Sequence, residues 1–436
     1  MSRKMLGSKG PFGGGQISWA PGGPGRWAAA GSTSRRDFLT SVAAASCLLL
    51  GCSDNDGSGG GLGGGGAGGG GGGGAGGGAC GAPDPFSGGE LRAVLGFVDD
   101  GDIELGVPFK VGWDGRLYTD LSTLGPDTLV TSNETFYIRT RYPDQLDATE
   151  PWRIAVDGLV NGPTEILLED LLPLAGPRGV HLMECSGNSR GGSFGLLSAA
   201  SWGGIRMVDL LAQLDILPAA TRVLVSGFDG HSVPSQNGHS KPGASWVFTF
   251  EQLADAFLAT EMNGVALPAD HGAPVRLLVP GWYGCTCIKW VDRIALVDDT
   301  EPATAQMLEF ASRTHQDGVP DLAAKYAPAT IDQAAMPVRV EKWGTAGGIV
   351  YRVIGILWGG SKQTDALSIR FGEEPWTPVD VCPPPTTNAT WTLWSHAWSP
   401  KSPGQHAVRM RIDDPSIVTR RLDSDYYVRT IEIDEV

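Results

Sequence analysis

The side chains best placed to do chemistry start in one short stretch, His181-Leu-Met-Glu-Cys185-Ser-Gly-Asn-Ser-Arg190. Val180 to Cys185 reads as a strand that runs into a Gly-containing turn. A cysteine at that junction can face a pocket as a thiolate, the ligand that suits a soft or high-valent transition metal. Glycine in the turn lets backbone approach a cofactor closely. Taken alone, a lone cysteine is more often a packing residue. Two further stretches add cations. Glu261 to Gly281 carries His271 and Arg276, and Gly284 to Trp290 carries Cys287-Ile288-Lys289. Arginine grips phosphate bidentately and lysine as a point charge. The apolar run around Arg276 predicts that it is buried. Upstream, Phe136-Tyr-Ile-Arg139-Thr-Arg141 brings two more guanidinium groups.

The other cysteines suggest less. There are seven, an odd number with no Cys-x-x-Cys pair, so a zinc site of the usual spacing is not present. A dense disulfide framework is not expected in a chain of 436 residues. Cys285 and Cys287 would share one face of a strand. With no third ligand nearby they read as packing thiols, Cys287 lending backbone to a cofactor.

The elements that must position these groups alternate between strand-like and helix-like. Phe136–Arg141, Trp152–Val156, Val180–Cys185, Arg222–Ser226, Val275–Val279 and Cys287–Val297 read as strands. Leu167–Leu172 and Val208–Leu214 read as short helices, and Phe250–Ala259 as a helix with Thr249 as its N-cap. The mixture predicts an α+β domain over residues 90–302. Beyond it, short β-rich runs punctuated by Gly and Pro predict a second, all-β sandwich over residues 303–436.

The first 89 residues read as an address and a tether. Arg35-Arg36 precedes an apolar run from Phe38 to Leu50, the pattern of a Tat export signal over residues 1–52. That run is too short to span a bilayer. Leu49-Leu50-Gly51-Cys52 resembles a lipobox, which would anchor the chain through Cys52; a signal-peptidase cut nearby is the alternative. Residues 53–89 form a Gly-rich linker whose 57–81 core would reach roughly 25–30 Å as a coil. The expected location is the periplasm or cell surface, with the membrane touched only through the lipid. Six of the 33 basic residues but one of the 48 acidic ones lie in the first 50, so the body is strongly acidic. That argues against nucleic acid. It suits either a cationic protein partner or plain solubility.

The Cys-x-Gly-Asn-x-Arg motif resembles the molybdenum-ligand motif of the sulfite oxidase family. The Glu261–Gly281 and Gly284–Trp290 segments resemble that family's pterin-contacting region, and the likeness covers roughly residues 130–300. The resemblance implies a sulfite-oxidase-type molybdopterin-binding domain followed by an immunoglobulin-like dimerisation domain. It implies Cys185 as the thiolate on molybdenum. It places Phe136, Arg139, Arg141, Asp229, His271, Arg276, Cys287, Ile288 and Lys289 around molybdopterin. Arg139 and Arg190 would converge beside the metal as an anion site, with Trp202 shaping the pocket.

Two departures bear on the substrate. The family's sulfite oxidases place a His two residues after the first substrate Arg, where this chain has Arg141. Their pocket Tyr has no clear counterpart; Arg313-Thr-His315 occupies the region, with His315 a substitute donor, and the next tyrosine is Tyr326. The implied reaction is oxidation of sulfite, a small anionic sulfur substrate, to sulfate by oxygen-atom transfer. With no Cys-x-x-Cys-His haem motif, electrons would pass to an external acceptor such as a c-type cytochrome. The alternatives are a sulfane dehydrogenase subunit, another oxidoreductase acting on sulfur oxyanions or sulfoxides, or an anchored binding protein that has lost the cofactor.

Overall fold

A computed structural model describes residues 84–142, 146, 151–228 and 244–436. The export signal, Cys52, the Gly-rich segment and Asp229 lie outside the described residues. Strands dominate. They are β1 (Glu90–Leu95), β2 (Arg153–Gly158), β3 (Thr164–Leu167), β4 (Gly176–Glu184), β5 (Leu197–Arg206), β6 (Arg222–Gly227), β7 (Ser245–Thr249), β8 (Phe257–Met262) and β9 (Val265–Ala266). There follow β10 (Arg276–Leu278), β11 (Val291–Val297), β12 (Ala334–Thr345), β13 (Gly348–Trp358), β14 (Leu367–Phe371), β15 (Thr377–Val379), β16 (Thr392–Trp398), β17 (Gly404–Ile412) and β18 (Arg429–Ile433). The α-helices described are one turn or little more: α1 (Leu168–Leu171), α2 (Met207–Leu211), α3 (Ala305–Phe310) and α4 (Arg420–Asp423). The fold is therefore mostly β, with less helix than an α+β reading predicts.

The first half builds two five-stranded sheets. One runs β3-β2-β11-β6-β7, with β2 and β11 parallel. The other runs β10-β8-β5-β4, with β9 added to β8. The second half builds two four-stranded antiparallel sheets, β1-β12-β13-β16 and β15-β14-β17-β18. Trp398 of β16 stacks on Phe371 of β14 at 4.0 Å, joining these two layers across a shared core. β1 pairs with β12, so the N-terminal strand of the 90–302 segment belongs to the C-terminal sandwich. One continuous apolar core runs through both halves, and a smaller cluster wraps Cys185.

Three local expectations change. The predicted helix at Phe250–Ala259 is a single 3-10 turn, Glu251–Leu253, followed by β8. Its cap does form: Thr249 N–H donates to Gln252 Oε1 at 2.9 Å, and Gln252 N–H donates to Thr249 Oγ1 at 3.1 Å. The helix ends there because Phe257–Met262 fills the slot between β5 and β10, where sheet pairing outweighs local propensity. Phe136–Arg141 is not a strand; Ile138 makes one isolated bridge to Leu117. Cys285 and Cys287 do not share a strand face, because Gly284–Thr286 is a 3-10 turn.

Candidate active site

β4 delivers Cys185 to a buried turn. The thiol is free and its residue only 5% exposed. Cys185 N–H donates to Leu196 O at 3.0 Å, and Asn188 N–H donates to Cys185 O at 2.8 Å, closing a tight turn. Gly187 N–H then points at Cys185 Sγ from 3.4 Å, a donor suited to a thiolate. Gly284 packs over this turn. A Cβ on it would lie 2.6 Å from Tyr137 Oη, so the close approach requires glycine.

A cleft opens beside Cys185, walled by Phe136, Tyr137, Met183, Arg276, Ile288 and Lys289. Arg276 is 3% exposed. Its two terminal nitrogens donate to His271 O at 2.9 Å and Cys287 O at 3.0 Å. Its Nε has no hydrogen-bond partner among the described residues. Lys289 Nζ is tied to Thr140 O at 2.5 Å and Asp270 O at 2.6 Å. His271 lies behind this wall, its Nε2 2.9 Å from Asn133 O. A carbonyl only accepts, so Nε2 carries the proton. Burial, and after it the Lys289 and Arg276 charges, pull the His271 pKa down to about 4, so the ring is neutral near pH 7.

Among the described residues no group of three His, Cys, Asp or Glu side chains is arranged to hold a metal. A metal at Cys185 would therefore rely on an organic ligand. The cleft suits one that ends in phosphate. It offers flat apolar walls and a buried guanidinium with an unused N–H, a position that favours an anion. Molybdopterin fits that description.

A second, broader basin meets the cleft at Arg139, which lines both. Ser186 and Gly187 form part of its wall, so it reaches the Cys185 turn. Lys110, Arg116, Arg139, Arg313, Arg420 and Arg421 surround it, and no carboxylate side chain lines it among the described residues. Burial, and next the Arg139 charge, lower the Arg116 pKa to about 10. Arg421 carries an 8% exposed side chain whose Nη1 lies 3.5 Å from Glu184 Oε1 as an ion pair. Arg420 forms a fork on Asp332, at 2.9 and 2.8 Å. His315 and Tyr426 complete the wall, so the Arg313–His315 segment does border the basin.

Several expected site residues fall elsewhere. Arg190 does not converge with Arg139. It follows the turn outward, its Nε 3.1 Å from Asp99 Oδ2 and Nη2 donating to Val428 O at 3.0 Å. Trp202 lines neither cavity. It is 2% exposed, stands edge-on to Phe136 at 5.9 Å and donates to His181 O at 3.2 Å, which makes it core. Arg141 lies outside the cleft on a 3.0 Å ion pair with Asp270. Tyr326 packs near Trp246 and lines neither cavity; Tyr426 is the tyrosine beside the turn, donating to Asn188 O. The basin residues Lys110, Arg116, Arg420 and Arg421 carry no motif. The one sequence signal is the Arg420-Arg421 pair in an acidic body.

The match to known proteins is concentrated in this region. Residues 140–305 match the oxidoreductase molybdopterin binding domain. Sulfite oxidase of Gallus gallus is 30% identical over 202 residues, 42% of this chain and 43% of that protein. Mitochondrial sulfite oxidase of Homo sapiens is 26% identical over 335 residues, 70% of this chain and 58% of that protein. The NADPH nitrate reductase of Aspergillus niger is 31% identical over 41% of this chain and 22% of its own length. The chain thus spans less than two thirds of these relatives. In fold it is similar to the sulfane dehydrogenase SoxCD from Paracoccus pantotrophus, with a TM-score of 0.57, 17% identity, and coverage of 75% of this chain and 88% of that one. Over residues 140–305 the chain carries an oxidoreductase molybdopterin binding domain, and in sequence it is similar to sulfite oxidases.

Proposed function

We propose that this protein oxidises sulfite to sulfate and hands the electrons to a separate carrier, a c-type cytochrome. The observation that supports this most is the basin. Among the described residues it brings six cationic side chains and no carboxylate to the wall that holds the Cys185 turn. A small sulfur oxyanion is the substrate such a pocket favours, because charge-assisted bonds strengthen where water is excluded.

Bound molybdenum would supply the two-electron redox chemistry and the oxygen atom. Cys185 would hold it, with Gly187 N–H steadying the thiolate charge. Arg276 and Lys289 would hold the phosphate end of the pterin, with Phe136 and Ile288 against its face. Arg139, at the junction of the two cavities, draws the substrate anion inward. Arg421, its Nη1 paired with Glu184, adds its charge to the basin wall, and Arg313 and Arg420 neutralise charge nearer solvent. The neutral His271 leaves Arg276 and Lys289 as the cations for the phosphate rather than adding a third.

The reading includes export by the Tat route, retention through a lipid on Cys52, and dimerisation through an immunoglobulin-like C-terminal sandwich. Full-length protein from a molybdenum-competent host should be assayed with sulfite, thiosulfate and methionine sulfoxide, using a dye or cytochrome c as acceptor. Sulfite is expected to give the highest kcat/KM. Molybdenum-loaded protein that turns over thiosulfate or sulfoxide but not sulfite would overturn the assignment.

A further inference from the structure

Glu184 immediately precedes Cys185 and is 0% exposed. Its carboxylate is enclosed by donors. Trp358 Nε1 donates to Oε2 at 3.0 Å, and Tyr427 Oη donates to Oε1 at 2.9 Å. Asn188 Nδ2 lies 3.4 Å from Oε1, and Arg421 Nη1 lies 3.5 Å from it as an ion pair. Trp358, Tyr427 and Arg421 all come from the C-terminal half. A carboxylate with no exposure persists only when paired and bonded in this way.

The same half holds the turn that follows. Arg421 Nη2 donates to Ser186 O at 2.7 Å and to Arg313 O at 3.0 Å. Its guanidinium lies 4.5 Å over the Tyr283 ring and 5.1 Å over that of Tyr426. Tyr426 Oη donates to Asn188 O. Residues 184, 186 and 188 are thus each fastened across the core, leaving Cys185 and Gly187 held between fixed points. Arg421 also lines the anion basin. One guanidinium therefore touches the pocket, the turn and the buried carboxylate.

We propose that Glu184 and Arg421 form a positioning pair: Glu184 orients Arg421, and Arg421 clamps the Ser186–Asn188 turn so that Gly187 N–H stays aimed at the Cys185 thiolate. Glu184 lines neither cavity, so it acts through Arg421 and the turn. The proposal rests on Cys185 being the functional thiolate, but not on which substrate is used.

The test is hydrogen–deuterium exchange of the full-length holoenzyme, read on peptides covering Cys185–Asn188 and, as reference, β5 and β13. Glu184→Gln, Arg421→Met and their double variant are compared with wild type. Amide exchange at Gly187 and Asn188 is expected to rise by about tenfold or more in each single variant while the reference strands stay protected. The double variant should add little to either single, because both residues act in one unit. In turnover, Glu184→Gln should lower kcat, a readout that a site making only substrate contacts would not move. If Arg421→Met fails to fold, Glu184→Gln and Tyr426→Phe carry the comparison. Unchanged exchange at the turn, or an equal rise in the reference strands, would overturn the proposal. The expected exchange pattern in the variants together with no sulfite turnover by the molybdenum-loaded wild type would count against the substrate assignment alone.

Discussion

His271 offers a quantitative test of how the cofactor wall is built. Its ring is buried, donates to Asn133 O, and has its pKa pulled from 6.5 to about 4 by burial and by Lys289 and Arg276. A base with a depressed folded pKa favours folding while neutral. That stability is fully present above pH 6.5. It is lost as pH falls through the window from 6.5 to about 4, where the unfolded chain takes the proton and the folded one does not. Linkage over that interval amounts to about 2.5 kcal/mol by about pH 4.5. His271→Gln keeps an N–H for Asn133 O and removes the titration. The assay is urea unfolding followed by tryptophan fluorescence, for both proteins, at about pH 7 and about pH 4.5 at constant ionic strength. Carboxylates elsewhere titrate in both and cancel in the comparison. Wild type should lose about 2.5 kcal/mol more than the variant on acidification. Losses that agree within about 0.5 kcal/mol would refute the reasoning, because His271 would then titrate as it does in the unfolded chain.

Four further outcomes follow from the geometry. Cys185→Ser should abolish turnover of the molybdenum-loaded protein, measured in the sulfite assay, while the near-isosteric change shifts Tm by no more than about 2 °C. Arg276→Met removes a buried cation from the phosphate end of the cleft and should weaken cofactor binding by about 3–4 kcal/mol, read as loss of co-purifying pterin fluorescence. Gly284→Ala places a methyl 2.6 Å from Tyr137 Oη and 3.4 Å from Glu184 O, and a drop of about 1–3 kcal/mol in unfolding free energy is expected. Arg420→Met should raise the KM for sulfite about tenfold, whereas Arg190→Met should leave it unchanged because Arg190 pairs with Asp99 away from the basin.

Much of the cofactor side was legible because its residues act within short stretches. Cys185 ends a strand and enters a turn, and the strand continues only to Glu184 in the structure. Arg276 lies in an apolar run, and it is indeed buried. The strands of the C-terminal half followed from alternating patterns bounded by Gly and Pro, since a period of two survives wherever one face is buried. At one misread segment, Phe250–Ala259, partner strands decided the outcome. Thr249 Oγ1 does accept from Gln252 N–H, but it closes only a 3-10 turn, and the residues after it are taken into a sheet between β5 and β10.

The substrate side was legible only in part: Arg139 and the Arg313–His315 segment do line the basin, but its other cations carry no motif. Arg190 sits five residues from Cys185, yet the chain turns through Arg190–Gly192 and a left-handed Ser193 and carries its side chain toward Asp99. Arg421 is 235 residues from Ser186 and bonds it directly. By itself the sequence carried the likeness to sulfite oxidases, a candidate thiolate and the cations suited to a phosphate, because each depends on residue types at fixed local spacing. Only the tertiary structure decided which arginines meet the Cys185 turn. That choice is made by how the C-terminal sandwich packs across the core, and no spacing along the chain encodes a contact made by docking two layers of sheet.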